Sequence, residues 1–223
     1  MKTNKHVIWD FVSRNQKRFR ELSDKVWSTP ETCYSEKISM STHVDELKFH
    51  GFSVTRGIAN IPTAVVGEYG TGGPIIAFLG EYDALAGLSQ KADVFYQDPI
   101  KKGQNGHGCG HNLLGSASMQ AAVALRDWLK ASNLPGVVRY YGCPAEEGGA
   151  AKTFMVRDKI FEDVDAAITW HPGCLPGIVK GSSLANCRVD FTFEGRASHA
   201  AVSPHLGRSA LDAIELMNVG VNY

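Results

Sequence analysis

The feature that most constrains this chain is the run Pro74-Ile75-Ile76-Ala77-Phe78-Leu79, which ends in Gly80-Glu81-Tyr82-Asp83. Its core, residues 75–79, is apolar on both faces, as a strand is when helices cover the sheet from both sides. An α/β layer architecture follows, and the two carboxylates fall just past the carboxyl end of that strand. In open α/β sheets that is the edge where ligands bind.

The flanking segments agree with this architecture. Residues 7–27 carry Ile8, Phe11, Val12, Phe19, Leu22 and Val26 at three- and four-residue intervals, which predicts an amphipathic helix closed by Pro30. A second helix is expected over residues 35–50, with Ser35 as N-cap and Gly51 as its stop. Residues 52–56 and 63–69 are short and rich in β-branched and aromatic residues, and they read as strands. Residues 88–106 are polar and without periodicity, a long loop of the kind more often functional than decorative. A long helix over 112–132, a strand over 137–142, a helix over 152–158 and a strand over 166–170 follow. This alternation predicts a three-layer α/β fold: a largely parallel or mixed sheet with helices on both faces. Residues 185–193 alternate apolar and polar side chains, predicting a strand with one wet face, followed by a helix over about 208–219. The expected division is a larger α/β domain over 1–183 and the beginning of a second, smaller domain over 184–223.

The strand ends collect the chemistry. Glu81 and Asp83 follow one strand, Cys143-Pro144-Ala145-Glu146-Glu147 another, and His171 a third. The stretch Asn105-Gly106-His107-Gly108-Cys109-Gly110-His111-Asn112 opens the long helix, with glycines on either side of Cys109 that let the backbone approach closely. Cys109 and His111, two residues apart, can converge on one ion. The same octapeptide can equally be a buried thiol beside two histidines. Glu81 or Asp83 can be a helix cap, Glu146 a solvated carboxylate and His171 a satisfied core histidine. The helix dipole would help hold Cys109 as the thiolate that a metal needs. A hydrolytic site needs such ligands with room for water, and a carboxylate to take the water's proton. The adjacent Glu146 and Glu147 could divide those roles. A redox role for Cys109 would need a Cys-x-x-Cys partner, which the sequence lacks.

Composition sets outer limits. Lys and Arg (23) balance Asp and Glu (23), so nothing points to a nucleic-acid or membrane partner. No apolar run reaches the roughly 18 residues of a membrane span, and the five scattered cysteines fit a reducing, cytoplasmic setting better than a disulfide framework.

Taken in order, Gly80-Glu81-Tyr82-Asp83-Ala84-Leu85, His107-Gly108-Cys109-Gly110-His111, Pro144-Ala145-Glu146-Glu147-Gly148-Gly149, Trp170-His171-Pro172 and Gly195-Arg196-Ala197-Ser198-His199-Ala200-Ala201 resemble the M20 metallopeptidase family. They look like its amidohydrolase branch, which acts on N-acyl amino acids, and residues 80–90, 105–115, 153–157 and 203–213 are closer still to its members that cleave p-aminobenzoyl-glutamate. The resemblance implies two divalent ions, Mn²⁺ or Zn²⁺. Cys109 would bridge them, His111, Glu147 and His171 would be further ligands, and Glu146 would be the general base. Asp83 would orient a ligand, and His199 would reach a substrate carboxylate or the oxyanion, often in a dimer partner's site. It also implies a homodimer or a hetero-oligomer with a related subunit. The expected activity is hydrolysis of the amide of an N-acyl or N-aroyl amino acid, the alternative being a non-catalytic or truncated partner subunit. The family's last histidine ligand lies near the end of a much longer chain. The 223 residues alone are therefore expected to hold metal weakly and to be inactive.

Overall fold

The computed structural model describes residues 4–178 and 181–223. It parts into two compact units, residues 1–175 and 176–223.

In the first unit, helix α1 (Asn4–Trp27) turns Phe19, Leu22 and Val26 inward, and helix α2 (Lys37–Phe49) follows. Strands β1 (Ser53–Arg56), β2 (Val65–Thr71), β3 (Ile75–Glu81), β4 (Gly136–Cys143) and β5 (Ala166–Ile168) form one sheet in the order β1-β2-β4-β3-β5. β1, β2 and β4 run antiparallel to one another in sequence across the sheet, whereas β3 is parallel to both β4 and β5. The sheet is mixed, one of the two arrangements that the alternation of elements allows. Helices α3 (His111–Ser132), α4 (Glu146–Gly149) and α5 (Ala151–Arg157) complete the unit.

The period-two alternation of β3 and β4 divides the core into two layers. Phe78, Val138 and Tyr140 join Phe19, Leu22, Leu47, Met119, Ala122 and Val123 of α1, α2 and α3. Ala77, Tyr141 and Cys143 face the other way, onto Ala151 and Met155 of α5. Each of the large apolar side chains fully buried here contributes about 1.5–3 kcal/mol relative to exposure.

Two local features of α2 bear on the expectations. Ser35 does not cap the helix. The Glu31 carboxylate does, accepting the backbone N–H of Ile38 (3.0 Å) and Ser39 (2.8 Å). A longer side chain arriving from outside the helix satisfies the orphan donors that Ser35 would have met. The helix stop is as expected, since Gly51 takes a left-handed φ of 77° and donates to the Lys48 carbonyl.

The second unit contains a 3₁₀ turn at Pro204–Leu206, helix α6 (Ala210–Gly220) and one isolated bridge, Arg196 to Arg208. The strand expected over residues 185–193 is not formed. Alternation specifies a face, but a strand exists only with a ladder partner, and among the described residues none pairs with it. No described helix is long and apolar enough to cross a membrane.

Candidate metal centre

The parallel pair β3 and β4 brings two acid-bearing strand ends side by side, with Glu81 in register with Cys143. The N-terminus of α3 arrives over them. Two glycines allow this. A Cβ on Gly115 would collide with the Glu81 carbonyl oxygen, and Gly110, at φ 76°, would meet the Pro172 ring at 2.9 Å.

His111 is the centre of the cluster. Its ring is fully buried, with Nδ1 2.9 Å from Asp83 Oδ1 and Nε2 3.1 Å from Glu81 Oε2. Glu147 Oε1 and Glu146 Oε2 stand 3.8 and 3.9 Å from the same Nε2. On the far side Cys109 Sγ is 3.2 Å from His171 Nε2, and His171 Nδ1 contacts the Pro172 carbonyl. The ligand atoms of Cys109, His111 and His171 lie within 4.8 Å of one another, and so do those of Glu81, His111 and Glu146. His107 turns away from this cluster, its Nε2 against the Val26 carbonyl.

Whether a cation fits is decided by the donor balance. With the Nδ1 proton donated to Asp83, His111 Nε2 is an acceptor, and it faces the acceptors Glu81 Oε2 and Glu147 Oε1. All three atoms are buried without a hydrogen-bond partner. Acceptors gathered around one point require positive charge there, from a proton on Nε2 or from a cation. Thiolate, imidazole and carboxylate together suit a divalent transition ion.

The electrostatics follow from the same crowding. Burial opposes the His111 imidazolium, but the hydrogen bond and charge of Asp83, with Glu81 and Glu147, outweigh it and raise the group. Asp83 is the mirror case: burial would raise it, yet His111 and the Glu147 N–H hold it below the usual carboxylate range. Burial, then the charge of Glu81, raises Glu146, the direction useful in a group that must accept a proton near neutrality. Cys109 goes against the expectation of a dipole-stabilised thiolate. Burial, followed by Glu147 and the charges of Glu146 and Glu81, pushes the thiol up to about 12. The α3 dipole cannot offset three nearby carboxylates, so the thiolate must come from an arriving ion.

Lys152, which no sequence motif singles out, donates to Glu81 Oε1 at 2.5 Å. A cleft of roughly 770 Å³ opens beside Cys109 and His171, between Trp27, Asp93 and Leu113. In the second unit, His199 Nδ1 accepts the backbone N–H groups of Ala201 and Val202 at 3.2 Å.

A mixed-sheet α/β domain with histidine, cysteine and carboxylates gathered past its strand ends places these donors at the edge where open α/β sheets bind ligands. No protein-family model matches the chain. It is 50% identical over 216 residues to a subunit of the p-aminobenzoyl-glutamate hydrolase of Escherichia coli, covering 97% of this chain and 45% of that protein. It is 32% identical over 222 residues to the Xaa-Arg dipeptidase of Mus musculus, covering 92% of this chain and 46% of the dipeptidase. Among solved structures, a dinuclear metal-binding M20 peptidase of Bacillus subtilis superposes with a TM-score of 0.56 at 22% identity, over 71% of this chain and 42% of that one. In sequence the chain is similar to these amide-bond hydrolases, and in fold to an M20 peptidase. It spans a little under half the length of the curated relatives it matches.

Proposed function

We propose that this chain carries the metal-binding part of an amidohydrolase that cleaves an N-acyl or N-aroyl amino acid, p-aminobenzoyl-glutamate being the first substrate to try. The observation that carries the reading is the donor balance at His111: buried atoms from three segments face one point that only a proton or a cation satisfies. The identity to the E. coli hydrolase supports the substrate class.

Cys109, His111, Glu147 and His171 would hold two divalent ions, Mn²⁺ or Zn²⁺, with Cys109 between them, and the buried Glu81 oxygen adds a further donor. Bound there, the ions would polarise the scissile carbonyl and acidify the attacking water. Glu146, raised and partly exposed, takes the proton of that water as its oxygen bonds the carbonyl carbon. It then returns the proton to the amine nitrogen as the C–N bond breaks, leaving an acid and an amino acid. Asp83 fixes the His111 ring so that Nε2 faces the Glu81 and Glu147 oxygens. The cleft beside Cys109 is wide enough for an aromatic acyl group, and Trp27 and Leu113 give it apolar walls. His199 would contact the substrate carboxylate or the oxyanion, from a lid or dimerisation domain that residues 184–223 begin. That the E. coli relative is one subunit of its hydrolase supports assembly as a homodimer or with a related subunit, and the five free cysteines support a cytoplasmic setting.

The test is hydrolysis of p-aminobenzoyl-glutamate and a panel of N-acyl amino acids by the intact natural protein, before and after chelation and with Mn²⁺ or Zn²⁺ restored. Turnover lost on chelation and regained with metal is expected. Tight metal binding with no turnover of any substrate would favour the non-catalytic subunit.

A further inference from the structure

The turn that carries Glu146 and Glu147 is not held by its own sequence. Ala145, immediately before it, has φ 54°, and Ala150, immediately after, has φ 50°. Two alanines in the left-handed region cost free energy that surrounding contacts must supply, of order 1–3 kcal/mol each. Those contacts come from residues 34–36, in the link between α1 and α2.

Glu36 is completely buried. Its Oε1 accepts the backbone N–H of Ala145 at 2.9 Å, across 109 residues, and the N–H of Tyr34 at 2.9 Å. Tyr34, itself at φ 60°, donates its phenol to the Gly149 carbonyl at 2.6 Å. A Cβ on Gly149 would lie 2.5 Å from the Tyr34 ring, so the two surfaces are in direct contact. Asp83 completes the arrangement through the Glu147 N–H at 3.0 Å. The four-residue turn is thus pinned at its start, middle and end, and two of the three pins come from outside the ion-binding cluster.

We infer that Glu36 and Tyr34 are positioning residues for the reaction: they clamp the 145–149 turn so that Glu146 and Glu147 keep their aim at the site. The inference rests on the function proposed above for those two acids. It requires an acceptor at residue 36 rather than a charge. Burial already pushes the Glu36 carboxyl upward, so an amide at that position is well tolerated.

The test uses the intact protein, with two readouts: steady-state hydrolysis, and affinity for Mn²⁺ or Zn²⁺ measured by competition with a chromophoric chelator. Glu36→Ala should lower kcat by about 100-fold with KM little changed, since a misplacement of about 1 Å costs that much. It should also weaken metal affinity, because Glu147 loses its aim. Glu36→Gln, which keeps an acceptor, should restore both. Tyr34→Phe removes one hydroxyl at a partly exposed residue. It should fold normally and lower kcat by about 10-fold, the loss expected of one hydrogen bond. Wild-type kcat and metal affinity in folded Tyr34→Phe, or equal damage in Glu36→Gln and Glu36→Ala, would overturn the clamp. If the unaltered protein hydrolyses nothing, the proposed function fails, and the affinity series still decides the clamp.

Discussion

The two halves of the candidate metal centre are built in opposite ways. On one side Glu81, Asp83 and His111 have side chains between 0 and 8% exposed, and each is tied to another side chain. On the other, His171 lies exposed against Cys109, and Glu146 is 43% exposed. The first half is anchored by β3 and α3, whose packing is part of the core. The second hangs on short segments, just past β4 and β5 and just before α3. On the function proposed above, the buried half would fix charge in place, and the open half would leave room for water and substrate beside Cys109 and His171.

The sharpest test of that division is Glu146→Ala. If Glu146 performs chemistry and holds no ion, kcat should fall by about 10²–10⁴-fold with metal content unchanged. Activity measured beside elemental analysis checks both parts, and full activity with metal bound would end the assignment.

The next test exploits the raised Cys109 thiol. At pH 7 a thiol near 12 is about five decades short of full ionisation, since each unit is tenfold. Cys174 and Cys187 are exposed. In chelated protein a maleimide should therefore label Cys174 and Cys187 at least about 100-fold faster than Cys109, read by peptide mass mapping. Comparable labelling of Cys109 would mean that the open half is far less crowded by carboxylates than the geometry indicates.

Asp83→Asn probes the buried half directly. Losing a carboxylate that orients a ligand histidine typically weakens metal affinity by about 10–100-fold, and chelator competition should find a loss in that range. Its pH signature in metal-free protein has a definite sign. Asp83, held low, contributes stability above the ordinary carboxylate pKa, lost as pH falls through its depressed folded value. His111, held high, contributes stability below the ordinary histidine pKa, lost as pH rises through its raised folded value. The stability advantage of wild type over Asp83→Asn should thus be largest between those two limits and shrink on either side. A pH-independent difference between the two denaturation curves would contradict the pair.

How far the sequence foretold this depends on the range of the interactions. Residues 75–79 and the amphipathic spacing of 7–27 specify local faces, and the strands and helices form within a few residues of where those patterns end. The crowding of Glu81, Asp83, Cys109, His111, Glu146 and His171 was equally legible, because each side chain either closely follows a strand or opens a helix that the local pattern marks. Glu36, Tyr34 and Lys152 were not. Their partners lie 109, 115 and 71 residues away, and no short-range pattern marks a carboxylate that will meet a distant backbone N–H. The missing strand over 185–193 is the converse case, a correct local pattern without a partner to pair with.

The smallest effect, and the finest test of the contrast, is Lys152→Met. Lys152 caps one Glu81 oxygen and leaves the other facing His111. The lysine side chain is 32% exposed and its partner 8%, so the pair lies between a surface bridge and a buried one. Breaking it should cost about 1–2 kcal/mol, well under the roughly 3–5 of a fully buried pair. In metal-free protein that corresponds to a fall in Tm of roughly 2–8 °C. Metal affinity should move the other way. Without the ammonium, Glu81 has more negative charge to offer the cluster, and removing a nearby cation lowers the repulsion on an arriving divalent ion. Stability down with affinity up, by a few-fold in chelator competition, is the expected pairing. If both fall together, Lys152 serves to hold Glu81 in place rather than to temper its charge, and the buried half owes its rigidity to that ion pair as much as to β3 and α3.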